Sequence, residues 1–141
     1  MKIIGFNFKK INIEKKDKLK SKLEIKSNIK VNSISEEKLD IVKDQSALKF
    51  EFEFSVDYSP DFAKINLEGF ILVLLEKDVS KEILKKWKTK KISNDIRIPI
   101  FNTILTKCNL RALQFEDEFV LPPHIPMPKL SSEDSQKTYT G

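Results

Sequence analysis

The chain holds one histidine, His124, and one cysteine, Cys108, the side chains best suited to proton transfer and nucleophilic attack near neutral pH. His124 stands in Leu121-Pro122-Pro123-His124-Ile125-Pro126-Met127-Pro128. A general base needs an orienting partner within hydrogen-bond reach, and neither neighbour nor spacing supplies one. It therefore reads as a loop residue without catalytic consequence. Cys108 falls on an apolar helical stripe, where a free thiol packs as a small hydrophobe. Carboxylates gather at Glu36-Glu37, Asp57 with Asp61, and Glu116-Asp117-Glu118. These are expected turns and a helix end, without EF-hand spacing or an acid-x-acid pattern near a histidine, so solvated acids are the expectation. Three glycines in the whole chain leave no glycine-rich loop to cradle a phosphate. The expectation is a protein that is not an enzyme and uses no cofactor and no metal.

Two surface features remain. Phe50, Phe52 and Phe54, with Tyr58 beyond them, put large apolar area on one face, most of it expected in the core. The second is basic: ten lysines against three acids in the first thirty residues, then Lys85, Lys86, Lys88, Lys90 and Lys91. The net charge is +5, from 26 basic residues against 21 acidic, yet all but two of the 26 are lysines. Only Arg97 and Arg111 offer the fork that reads bases and phosphates in bidentate fashion, so specific base readout is disfavoured. Lysine, isoleucine and asparagine are abundant throughout, which marks much of the surplus as compositional. A solvated surface that keeps edge strands from pairing is one reading of it; a polyanion-binding patch is the other.

At 141 residues, 40% hydrophobic and 33% charged, the chain has the size and composition of one domain. It can bury about 68% of its unfolded surface without disulfide or metal. A lone cysteine excludes an internal disulfide and fits a reducing compartment. The opening residues turn polar too early for a signal peptide, and the longest apolar run, Gly69 to Leu75, is too short to span a bilayer. A cytoplasmic protein without membrane insertion is expected.

The elements that position these groups follow from periodicity. Ile4, Phe6 and Phe8 alternate on even positions and Ile11 and Ile13 on odd ones, which predicts a strand with a bulge at Lys9-Lys10. Leu23, Ile25, Ser27, Ile29 and Val31 define a second strand. From Leu48 to Tyr58 apolar and polar residues alternate without error, a period of two that no helix satisfies. Ser59-Pro60-Asp61 predicts a turn. The fourth strand alternates from Ala63 and becomes apolar on both faces from Phe70 to Leu75. Both faces there need cover, and too few helices remain to supply it, so Phe70, Leu72 and Leu74 are expected at a contact between subunits. Ser80 is expected to cap a short helix carrying Ile83, Leu84 and Trp87. Asn94 or Asp95 is expected to cap a longer one, with Pro99 in its first turn and a stripe through Ile100, Phe101, Ile104, Leu105, Cys108, Ala112, Phe115 and Phe119. The proline-rich segment should lie extended on the surface, and residues 131–141 are expected to form a disordered polar tail. The order β-β-β-β-α-α predicts an α+β fold, a four-stranded antiparallel sheet with two helices packed on one face.

With these elements placed, the chain resembles the export chaperone SecB and its archaeal SecB-like relatives. Ile98-Pro99-Ile100-Phe101 through Cys108 is similar to that family's long helix entered through a proline, Val120 to Pro128 to the extended segment after it, and Phe6-Asn7-Phe8-Lys9-Lys10-Ile11 to its opening strand. The resemblance covers residues 1–130 as a single domain. It implies dimers assembling into tetramers, and apolar grooves that hold unfolded or nascent polypeptides without ATP. Bacterial members are acidic and end in a tail that recruits the export motor, whereas this chain is basic and ends differently. Coupling to that motor is therefore not implied. Phe6, Phe8, Tyr58, Trp87, Ile125 and Met127 are the expected peptide contacts, because flat rings and a thioether adapt to varied side chains. The alternative is a small basic protein associated with the ribosome or with RNA, and a purely structural subunit is a third reading.

Overall fold

Strand pairing in the middle of the chain follows its alternation. The computed structural model of the protein describes residues 1–19, 22–39 and 43–132. In it, strands β3 (Gln45–Ser59) and β4 (Ala63–Glu76) form an antiparallel hairpin. Phe50 lies opposite Ile71, Phe52 opposite Gly69, Phe54 opposite Leu67, Val56 opposite Ile65 and Tyr58 opposite Ala63. Residues directly opposite share a face, so this register makes one continuous apolar surface, all of it buried. β1 (Lys2–Lys15) adds to the outer side of β4, and β2 (Glu24–Glu37) to the outer side of β3. The result is one open antiparallel sheet in the order β1-β4-β3-β2, followed by helices α1 (Lys77–Trp87) and α2 (Asn94–Glu118), an α+β fold.

Bulges tune the edge strands to this central face. β1 shifts register between Phe8 and Lys10, where the sequence pattern flips, and also between Ile3 and Gly5. The second shift corrects the expectation for Ile4. It sits in the bulge and is exposed, while Ile3 pairs with Val73 on the core side. Each extra residue reverses the parity once, so Ile3, Phe6, Phe8, Ile11 and Ile13 all share the face of Val73, Ile71, Gly69, Leu67 and Ile65. β2 runs beyond the expected Val31, and a third shift between Val31 and Ser33 brings Ile34 into the core opposite Phe50.

Both helices cover that same face, and their starts differ from the sequence reading. α1 follows β4 without a loop; Glu76 is its N-cap, and Ser80 lies buried inside the helix. Asp78 in the first turn and Lys85 and Lys86 in the last complement the helix dipole. α2 is capped by Ser93, whose carbonyl accepts from the Ile96 and Arg97 amides at 3.1 and 2.8 Å. Pro99 therefore stands inside the helix, one turn later than expected. The Asp95 carboxyl is held below its ordinary range chiefly by a hydrogen bond from Ser93. Ile96, Ile100, Ile104, Cys108, Ala112 and Glu116 form the buried row, and burial pushes the Cys108 thiol up to about 12. Residues 133–141, most of the expected tail, lie outside the described residues.

Gly69 sets how closely β1 approaches β4. A Cβ there would meet the Asn7 carbonyl oxygen of β1 and, at 2.9 Å, the Phe52 ring. Above this gap Phe6 stacks on Phe52 at 5.3 Å, and Phe8 meets both rings edge-on. Gly69→Ala is expected to lower the unfolding free energy by about 3 kcal/mol, since overpacking here must move backbone rather than a side chain. Denaturant midpoints check this, and an unchanged midpoint would contradict the close approach.

Candidate functional site

A groove opens where the helical layer meets the free edge of the sheet. β2 is an edge strand, and its core-facing Ile29 and Val31 reach towards Trp87 at the end of α1, Ile92 in the connection, and Phe101 of α2. These side chains are half-buried and floor an open cavity of about 710 Å³. Lys90, Lys91 and Arg97 stand at its rim. The Lys90 ammonium lies 4.5 Å from the centre of the Trp87 ring, and the Arg97 guanidinium 5.1 Å from that of Phe101, so each cation rests on an aromatic face. Lys30 also borders the groove, but its ammonium pairs with Glu53 on the opposite sheet face.

The proline-rich segment is fastened across the other end of the core. α2 ends in a Schellman turn, with the Leu121 amide donating to the Glu116 carbonyl at 2.8 Å and the Val120 amide to that of Asp117 at 3.3 Å. The left-handed position falls on Val120, at φ 54°, a conformation that a β-branched residue adopts only under strain. The turn buries Leu121 and sends the chain back along α2. His124 then inserts its ring between α2 and β3, 5.9 Å from the Phe54 ring. Nδ1 lies 2.7 Å from Glu116 Oε2, Nε2 lies 2.8 Å from Asn109 Oδ1, and the His124 amide donates to Glu116 Oε1 at 3.0 Å. The ring is thus held from both sides, by the Glu116 carboxyl and the Asn109 side-chain amide. Tyr58 donates its hydroxyl to the Pro122 carbonyl at 2.6 Å, and Lys15 its ammonium to that of Phe119 at 2.6 Å. Burial, then the neighbouring Glu116 carboxylate, raises the Tyr58 phenol above its ordinary range.

This anchor overturns two sequence expectations. His124 does have an orienting partner, and Glu116 is not a solvated acid: the two side chains are 0% and 1% exposed. So closed a pair offers no path to a substrate, and its geometry suits an anchor rather than a general base. The only sequence cue was that Glu116 continues the four-residue row of Ala112 and Cys108. Among the described residues, no group of three or more His, Cys, Asp or Glu side chains could hold a metal ion.

The expected contact residues do not form one surface. Tyr58 is a correction: at 1% exposed it belongs to the core, bound to the strap. Phe6 and Phe8, half-buried on β1, form an aromatic cluster with the buried Phe52 of β3. Ile125 and Met127 line a shallow recess within the proline segment, Met127 being 47% exposed. Trp87 alone lies in the groove, with Ile29, Val31, Ile92 and Phe101 as partners that no local pattern could indicate. Phe70, Leu72 and Leu74 lie half-buried on the sheet face opposite the helices, next to the buried Ala47, and Lys49 covers the Phe70 ring at 4.5 Å. Farther along that face, a hydrogen bond from Ser33 at 2.6 Å chiefly holds the Glu51 carboxyl below its ordinary range.

No family model matches the chain, and neither does any curated protein or solved structure. No helix among the described residues is long and apolar enough to cross a membrane.

Removing one partner of this buried hydrogen-bonded pair strands the polar atoms of the other in a low dielectric. His124→Ala is therefore expected to lower the unfolding free energy by about 3 to 5 kcal/mol, whereas Glu116→Leu combined with His124→Phe recovers most of the loss. Urea midpoints of the two variants check the anchor. A fully stable His124→Ala protein would show that the strap does not depend on it.

Proposed function

We propose that the protein is an ATP-independent holdase of SecB-like type, which takes up extended segments of unfolded polypeptide in the groove beside Trp87. One observation carries the reading: a half-buried, mainly apolar floor lies open to solvent along a free strand edge. Such a surface binds extended chains by apolar area and main-chain hydrogen bonds, with little dependence on sequence. Passive binding of this kind needs no nucleotide and no catalytic residue, and a cytoplasmic setting suits it. The second reading, association with RNA, draws on the lysines of α1 and the following turn, Lys85, Lys86, Lys88, Lys90 and Lys91.

Salt separates the two. Phosphate contacts weaken steeply between about 50 and 200 mM salt, while apolar binding persists. Suppression of aggregation of a denatured client is expected without nucleotide and at both salt concentrations. Protection that disappears at the higher salt, or on addition of RNA, would favour the polyanion reading and refute the holdase.

The same proposal includes self-association into dimers or tetramers through Phe70, Leu72 and Leu74, since apolar side chains on an outer sheet face gain by being covered. Leu72→Lys is expected to shift the mass in light scattering towards the monomer while leaving the helical circular dichroism intact. A wild-type protein that is monomeric at micromolar concentration would remove this part.

A further inference from the structure

The rim of the groove carries one sign of charge, which points to a narrower class of occupant. Lys90, Lys91 and Arg97 border it, and none of its described lining residues is an Asp or Glu. The aromatic floor holds two of these cations in place: Lys90 on Trp87 at 4.5 Å and Arg97 on Phe101 at 5.1 Å. A long flexible side chain fixed in this way has already lost much of the entropy that an ion pair would remove. Beside them, the outer edge of β2 before its bulge at Val31–Ser33 carries no strand partner among the described residues. In a strand laid along that edge, alternate side chains point to the core side of the sheet, towards the Ile29 and Val31 floor.

We infer that the groove selects extended polypeptide segments in which apolar residues are interspersed with Asp and Glu, the apolar side chains seated on Ile29, Val31 and Ile92 and the carboxylates meeting Lys90, Lys91 and Arg97. The inference rests on the holdase reading and adds a charge preference to it. A single-stranded RNA fits less well. Base stacking needs open aromatic faces, and here Lys90 and Arg97 already occupy faces of Trp87 and Phe101. The floor is also partly aliphatic.

Trp87 is the chain's one tryptophan, so its emission reports on this groove without a label. The full-length protein is titrated with two peptides that share the same alternating leucines, one carrying glutamates between them and the other lysines, and with polyuridylate. The glutamate peptide is expected to shift the emission and to bind about tenfold more tightly than the lysine peptide at low salt, the size given by two or three exposed ion pairs. The double variant Lys90→Glu with Arg97→Glu, both positions solvent-exposed, is expected to reverse the preference without lowering the melting temperature. Equal binding of the two peptides, or an unreversed preference, would overturn the acidic selectivity while leaving the holdase reading standing. Emission that responds to neither peptide, while client aggregation is still suppressed, would overturn the groove as the site. Polyuridylate binding more tightly than the glutamate peptide would overturn the inference in favour of nucleic acid.

Discussion

The face made by Phe50, Phe52, Phe54, Val56 and Tyr58 against Ile71, Leu67, Ile65 and Ala63 must be kept from water, and the rest of the architecture answers to that. Burial of aromatic and branched side chains at this density is the main favourable term in folding a chain of this size. α2 supplies the cover through residues spaced four apart, from Ile96 to Glu116. Such a row winds around a straight helix instead of running along it, so the contact crosses the twisted sheet obliquely. The bulges in β1 and β2 serve the same face, since each returns an apolar set to the inside after the parity has slipped.

The groove is a consequence of how far the cover reaches. The core centres on β3 and β4, and at the β2 edge Ile29 and Val31 are left half-buried beneath Trp87 and Phe101. Aromatic residues at such a margin serve two purposes. One side of the ring packs on the core, and the other face holds a cation in register. A lysine-rich chain thereby gains placed charges from residues that elsewhere stay solvated.

At the opposite end, a polar pair does work that apolar packing could also do. Glu116 occupies the last place of the buried row, and His124 returns across a tight turn to meet it. A buried pair of this kind is weak evidence for added stability, because desolvating both groups offsets most of their attraction. Its direction-dependent hydrogen bonds to Asn109 and to the His124 amide instead fix where the proline segment runs. Four prolines make no regular ladder of their own, so the segment takes its path from Glu116, Tyr58 and Lys15.

Much of the fold was legible in the chain itself. Unbroken alternation from Leu48 to Tyr58, the turn at Ser59-Pro60-Asp61 and the helical spacing after Pro99 are local patterns, and local patterns specify element type through the periods of strand and helix. The doubly apolar run from Phe70 to Leu75 likewise announced a strand with two faces to cover. What the tertiary structure alone decided are pairings between distant residues. The Ile3–Gly5 bulge exists to match β4, and Tyr58, which looked spare at a hairpin end, is core because Pro122 comes to rest over it. Trp87 and Ile29 come to line one groove at the sheet edge, and His124 meets Glu116 after a left-handed turn at Val120. A sequence records which residues want burial or charge; which of them meet is set by register, helix crossing and chain reversal, and these are settled only when the whole apolar face is covered at once.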